Sequence, residues 1–412
     1  MKVSLLTLGT RGDVQPYAVL GKAFQDRGHE VVLSTGKNFQ GLASDYRLNF
    51  LPVEADFHAL INSEEGKAMM KNPFLARKHF IRIVQPMMVD AMKIFFKQAQ
   101  ESDCVLYHAK ALGDFFADQF PEKMMRANVV PAIQQTSEFP NPVFSAIPLP
   151  KILNKLTYRL ADMGMAMMNG AIRQFRVNVG LGEKIPKKIE VPSVYGISEF
   201  VLPKPKDFPS NSHFTGFWQG QSSQVLDSSL IDLLKNGKRN VLVTFGSMPF
   251  ETRFDLQKSI ISISKELNVN VIIVKGWGFS NTDLFRDVSS IKVIDGAPYD
   301  KLLPLIHAAV HHGGIGTLAE CLRSATPSLS CPVIYPMGDQ YFWGTQAHKI
   351  GCSPKPIPLK KLTHQSLKEN LNALLSNNTF LSNSQILSRK LLSENGPERT
   401  VDLIESKFAR LL

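Results

Sequence analysis

No apolar run in this sequence approaches the ~20 residues that a membrane-spanning helix needs, and the short stretch VSLLTL (Val3–Leu8) is cut off by Gly9. A secretory leader is therefore not expected, and the stretch reads as a first β-strand. Cysteine is scarce. Cys104, Cys321, Cys331 and Cys352 form no CxxC pair and no metal-type cluster, which speaks against a disulfide framework and fits buried thiols in a reducing compartment. Long basic runs are missing as well: Lys187-Lys188 and Lys360-Lys361 are isolated pairs, so a nucleic-acid partner is not expected. No GK[ST] follows a glycine run, which excludes a simple ATPase loop, and no D-x-D pair is present to hold a divalent ion against a diphosphate. The expectation from these absences is a cytoplasmic protein without a metal.

The 412 residues are too many for one compact core and suggest two domains. Hydrophobic residues at 44% and charged residues at 20% give each domain the makings of an ordinary globular interior. A formal charge of +11 favours an anionic partner, either a phosphorylated small molecule or an acidic membrane surface.

Along the chain, strand-turn-helix units recur. VSLLTL, the turn GTRGDVQP (Gly9–Pro16), a helix with apolar Val14, Ala18, Leu20 and Phe24, a Gly28 stop and strand Val31–Leu33 make a βαβ unit. Further strands are expected at Cys104–Tyr107 and Val129–Ile133, so the first part reads as an open parallel sheet. From Pro192 to Gly220 the text turns rich in proline, serine and glycine and reads as an interdomain connection. The pattern then restarts, with strands expected at Val241–Ser247, Val269–Gly278, Ile291–Asp295, Ala308–Thr317 and Thr326–Ile334. The fold class is thus α/β: two doubly wound domains facing across a cleft, where ligands meet the carboxyl ends of the strands. Gly66–Gln100 and Lys151–Val177, rich in Met, Phe, Leu, Lys and Arg, read as amphipathic helices with basic faces. They either pack on the first sheet or present a wall to a greasy ligand or a membrane surface.

The strongest chemical signal is HHGGIGTLAE (His311–Glu320), where a strand ends in histidines and glycines and a helix begins. Free N–H groups and the positive end of the helix dipole make such a turn an anion cradle. Downstream, PMGDQYFWG sets Asp339 beside Gln340, a carboxylate and an amide suited to gripping vicinal hydroxyls. Ser247 closes the FGS turn and can cap a helix or meet a phosphate. Asp13, read alone, is equally a first-turn helix residue and an acid at the end of a strand.

These motifs together carry a resemblance. HHGGIGTLAE followed by GDQYFWG resembles the nucleotide-sugar signature of family-one glycosyltransferases of the UDP-glycosyltransferase type. GTRGDVQP, HFTGFW (His213–Trp218), FGS and KGWG (Lys275–Gly278) are similar to the branch of sterol glucosyltransferases and bacterial antibiotic glycosyltransferases. The resemblance implies a GT-B architecture of two Rossmann-like domains. Residues 1–205 are expected to bind the acceptor, 206–222 to link, 223–390 to bind the nucleotide-sugar, and a helix in 391–412 to pack back on the first domain. It implies an inverting, metal-independent hexosyltransferase that uses a UDP-sugar, uridine being preferred to thymidine, and a lipophilic hydroxylated acceptor such as a sterol, polyketide or phenolic. Carried over by position, Asp13 is the base that takes the acceptor proton. His312, Gly314, Gly316 and Thr317 hold the diphosphate, Glu320 the ribose, Asp339 and Gln340 the sugar, and Ser247 the phosphates. Thr10, Arg11 and Gly12 contact the donor. In place of the tryptophan that plant members stack on the base, DGAPYD offers the Ala297 backbone, with Trp277 nearby. Thr136, Glu138 and Phe139, in QQTSEFPNPVF, are expected at the acceptor. A monomer or weak dimer, with peripheral membrane contact, completes the expectation. The competing readings are a nucleotide-sugar epimerase or hydrolase on the same plan and a catalytically silent binding relative.

Overall fold

The computed structural model describes residues 1–55, 79–186, 190–246, 250, 252–276, 279 and 282–409. Two wholly parallel sheets organise them. The first has seven strands in the order β3-β2-β1-β4-β5-β6-β7: β1 (Lys2–Leu6), β2 (Glu30–Gly36), β3 (Asn49–Val53), β4 (Cys104–Tyr107), β5 (Met124–Asn128), β6 (Ser193–Tyr195) and β7 (Ser212–Phe214). The second has five in the order β10-β9-β8-β11-β12: β8 (Arg239–Thr244), β9 (Val269–Val274), β10 (Ile291–Ile294), β11 (Ala308–His311) and β12 (Ser328–Ser330). In both sheets the order reverses beside the first strand, at β1/β4 and at β8/β11. A reversal of this kind opens a crevice at the carboxyl ends of the two neighbouring strands.

Strand composition follows from this topology. β9, VNVIIV, is buried at all six positions because helices cover both faces of a parallel sheet, so no polar alternation survives. β3 carries Pro52, which cannot donate to a ladder, and lies at the sheet edge where that costs nothing. Two expected spans shift. Val129–Ile133 is irregular, since Pro131 lacks an N–H, and the strand is β5 just before it. Its middle residue, Arg126, is buried with its Nε donating to Asp114 at 2.6 Å and a guanidinium N–H to Val191 O at 3.4 Å. The Pro192–Gly220 connection also contains β6 and β7, which extend the first sheet.

The helices that bear on the site are α1 (Arg11–Asp26), α2 (Gln85–Glu101), α3 (Asn154–Met165), α4 (Asn169–Asn178), α5 (Ile315–Arg323), α6 (Gln340–Lys349) and α7 (Gly396–Phe408). The chain's last helix, α7, lies along α1: Arg27 pairs with Glu398, Asp402 and Glu405, and His29 with Glu405. The buried Trp218 Nε1 donates to Thr400 Oγ1 at 2.9 Å, so the connection is also held to α7. The two lobes touch through Phe139 and Phe342, with ring centroids 5.2 Å apart, and through Gly338 N–H donating to Val143 O at 2.9 Å.

Candidate active site

At the first reversal point, β1 runs into Gly9, whose φ of +134° is open to glycine alone; a Cβ there would lie 2.2 Å from Asp13 Oδ2. Gly12 is different, because a Cβ would meet nothing closer than Thr10 Oγ1 at 3.8 Å. Thr10 caps α1, and its N–H and hydroxyl donate to Asp13 Oδ2 at 2.8 and 3.2 Å. Lys110 Nζ donates to both carboxylate oxygens at 2.8 Å. His108 Nε2 stands 3.9 Å from Oδ1. Burial pushes the Asp13 carboxyl up, but Lys110, His108 and the hydrogen bonds outweigh it and hold the pKa below the ordinary value.

His108 and Lys110 follow β4, the neighbour of β1 across the reversal. Burial drives His108 down to about 4, with Asp13 opposing and Lys110 assisting, so the ring is neutral at pH 7. Its Nδ1 accepts the Lys110 N–H at 3.3 Å, which assigns the ring proton to Nε2, the nitrogen toward Asp13. Asp13 is the N3 acid of the α1 capping box. Oδ2 is committed to Thr10, whereas Oδ1 meets only the Lys110 side chain within hydrogen-bond distance, and that side chain is 55% exposed and able to withdraw.

At the second reversal point, Gly246 follows β8 and His312 follows β11. The His312 ring lies between two glycines: a Cβ on Gly314 would be 2.4 Å from Nε2, and one on Gly246 would be 2.8 Å from Cε1. Burial lowers His312 to about 4, and its buried Nδ1 has no hydrogen-bond partner. Gly314 begins α5 without a side-chain cap, so the first-turn amides, including those of Gly316 and Thr317, have no capping acceptor from it. The neighbouring His311 is structural: it bonds Ser328 Oγ at 3.1 Å, accepts Gly313 N–H at 3.0 Å and is wholly buried.

One turn along α5, burial pushes Glu320 up to about 7, with Asp300 adding to the shift and Arg323 opposing it; Oε2 is sealed without a partner. The partly buried Tyr299 hydroxyl donates to Thr244 Oγ1 at 3.2 Å, at the end of β8, and burial raises its pKa. The sign of the Glu320 shift sets a test. A carboxyl raised from 4.5 to about 7 costs nothing below the lower value, and destabilises the fold as pH rises through the upper one. Glu320→Gln is expected to match the parent in thermal melts near pH 4.5. It should gain up to about 3 kcal/mol by pH 8 at ~1.4 kcal/mol per pKa unit.

Asp339 and Gln340 begin α6 against the same turn. Burial raises Asp339, Lys110 draws it down and Asp13 pushes it up again, for a net rise. Asp339 of the second lobe therefore lies near enough to feel both Asp13 and Lys110 of the first. Gln340 Oε1 accepts Val333 and Ile334 N–H at 2.8 and 3.0 Å, which commits the carboxamide oxygen to its own loop and leaves the amide nitrogen for a ligand. Ala297 sits just past β10, partly buried against the second sheet. Ser247 and Trp277 lie outside the described residues.

In the expected acceptor segment, Thr136 is fully buried and donates to Asp207 at 2.6 Å. Glu138 Oε1 accepts Lys206 N–H at 2.8 Å. Both side chains hold the segment in place, and Phe139 is spent on Phe342. His108 and Lys110 were not anticipated from the sequence. Their signal was a basic pair, HAK, directly after the strand CVLY that neighbours β1. Among the described residues no three His, Cys, Asp or Glu side chains converge as metal ligands would.

Residues 3–112 match the glycosyltransferase family 28 N-terminal domain. The chain is 28% identical to a sterol 3-beta-glucosyltransferase of Arabidopsis thaliana over 96% of its own length and 64% of the relative's. It is 27% identical to a sterol 3-beta-glucosyltransferase of Pichia angusta over 100% and 34%. The chain therefore spans less than two thirds of either sterol relative. It is 27% identical to the O-mycaminosyltylonolide 6-deoxyallosyltransferase of Streptomyces fradiae, over 98% of this chain and 97% of that one. Among solved structures it superimposes on the glycotransferase of kitacinnamycin with a TM-score of 0.73, at 15% identity and covering 98% of each chain. On the glycosyltransferase VinC in complex with DTDP the TM-score is 0.70, at 16% identity and covering 100% of each. The fold is that of GT-B glycosyltransferases.

Proposed function

We propose that this chain, with its GT-B fold and glycosyltransferase family 28 N-terminal domain, moves a hexose from a UDP-sugar to a hydroxyl of a lipophilic acceptor with inversion. One observation carries the reading: an acid at the reversal point of the first sheet and a histidine before an uncapped helix at that of the second stand on lobes that meet through Phe139 and Phe342, with Asp339 of the second lobe close enough to feel Asp13 and Lys110 of the first.

In the proposed step the acceptor hydroxyl enters at Asp13 Oδ1, displacing Lys110. As its oxygen bonds to the anomeric carbon, its proton passes to the carboxylate. The bond from that carbon to the diphosphate breaks, and its electron pair leaves with the nucleotide. The growing charge meets His312 and the amides of Gly316 and Thr317, with the α5 dipole behind them. Glu320 holds the ribose, and Asp339 with the Gln340 amide holds the sugar. An α-linked donor gives a β-linked product. His108 keeps its Nε2 proton toward Asp13 and orients the carboxylate. The sterol and macrolide transferases among the relatives favour a lipophilic acceptor. VinC was solved with DTDP, so thymidine donors belong in the test beside uridine donors.

A screen of UDP- and TDP-sugars against sterol, polyketide and phenolic acceptors, read by mass spectrometry, tests the reading. Transfer without hydrolysis of donor alone supports it, while donor breakdown or epimerisation without acceptor favours a hydrolase or epimerase. Lys110 makes a separate prediction. Its ammonium lowers the Asp13 pKa, so Lys110→Met is expected to move the acid limb of the kcat/KM profile to higher pH. An unmoved limb means that Asp13 is not the titrating base.

A further inference from the structure

The surface of α3 carries something the transfer chemistry does not use. Ile152, Leu156, Leu160, Met163 and Met167 recur every third or fourth residue through α3 and the short helical turns at its two ends, and all are exposed. Ile152 is 89% exposed and Met163 69%. Beside this stripe run Lys151, Lys155 and Arg159, also exposed and four residues apart. A helix that packs on a core hides its apolar side, yet here the buried side is Asn154, Thr157 and Tyr158. That side is tied to the segment before it: Asn141 N–H donates to Thr157 Oγ1 at 2.7 Å, and Asn154 Nδ2 to Ser137 O at 2.8 Å. The apolar stripe is thus fixed in the outward position by hydrogen bonds.

We infer that residues 149–167 form a docking surface for an anionic phospholipid bilayer, with Ile152, Leu156, Leu160, Met163 and Met167 entering the headgroup layer and Lys151 and Arg159 meeting lipid phosphates. Lys155 is already engaged by Asp207 at 3.3 Å. Charge complementarity selects the occupant. A basic rim along an apolar stripe matches an acidic interface, as does the net charge of +11. Contact is lateral, since no helix among the described residues is long and apolar enough to cross a membrane.

Position gives the surface a purpose, and this part rests on the proposed function. The segment that anchors α3 is the one that reaches the second lobe through Phe139 and Val143. A bilayer held against α3 therefore lies beside the cleft, where a lipophilic acceptor could pass from membrane to Asp13 without crossing water.

Co-sedimentation of the full chain with phosphatidylcholine vesicles, with and without phosphatidylserine, at low and high salt tests the docking. Binding is expected to the anionic vesicles and to weaken with salt. Ile152→Ser/Met163→Ser should abolish it, while Lys151→Gln/Arg159→Gln should cost roughly an order of magnitude and the preference for phosphatidylserine. Both variants should keep the parental melting temperature and full transfer to a detergent-solubilised acceptor. A parent chain that ignores every vesicle, or pairs through this face in analytical ultracentrifugation, overturns the inference, as does an apolar-stripe variant that binds like the parent. Vesicle binding by a chain with no transferase activity would leave the docking surface standing and remove the reading of the cleft.

Discussion

Asp13→Asn is expected to lower kcat by 10²- to 10⁴-fold, the usual worth of a positioned general base, while leaving nucleotide affinity unchanged. The separation follows from where the groups stand. Asp13 belongs to the first lobe, after β1, whereas the proposed diphosphate cradle belongs to the second. Asparagine keeps an oxygen to accept the Thr10 N–H that now donates at 2.8 Å, so the start of α1 survives. What it cannot do is take a proton. A stability cost is also expected and has a defined sign. A carboxyl held below its ordinary pKa stabilises the fold at neutral pH, and that contribution is lost as pH falls through the lowered value. The variant should therefore melt somewhat below the parent at pH 7 and converge with it in acid. Calorimetry beside single-turnover transfer separates lost stability from lost chemistry.

His312→Ala is expected to cost 10²- to 10³-fold in kcat, the range for removing one donor from a preorganised oxyanion site. Gly314→Ala should approach that loss from another direction, because its Cβ would lie 2.4 Å from the His312 Nε2 and force the ring aside. Neither change touches the acceptor side, so acceptor KM should hold. Burial keeps His312 neutral, with a pKa of about 4, so in the proposed step it serves as a neutral hydrogen-bond donor and no limb of the rate profile near neutrality is expected to belong to it. A limb near pH 7 that disappears in His312→Ala would contradict this assignment.

What could be read from the sequence followed from burial. β9 and β11 stand out because a strand covered on both faces reads as a nearly continuous apolar run, broken here by Asn270 in β9 and ended by His311 in β11, and glycines after β1 and β11 mark the two turns that matter. β5 is obscured by Arg126, whose partner Asp114 lies in a short helical turn twelve residues earlier. β6 and β7 have three residues each, too few for any periodicity to show against surrounding proline and serine.

The same limit applies within the site. The turn that holds His312 is legible as an anion cradle from its glycines and the helix that follows, whereas Asp13 read alone is equally a helix residue and its expected role comes from the resemblance. Lys110 sits 97 positions from Asp13 and becomes its partner only because β4 pairs with β1. For Gln340 the motif implies a sugar contact, and the structure adds that its oxygen is held by Val333 and Ile334 N–H, a bond that no spacing reveals and that leaves its amide nitrogen for that contact.

The stereochemistry of transfer tests the central claim most directly. With α-linked UDP-glucose and a sterol, proton NMR of the product reads the configuration at the transferred sugar's anomeric carbon. One base on one side of a shared cleft and one leaving-group site on the other predict a β-linkage. An α-linked product, or free glucose released with no acceptor joined, would contradict it.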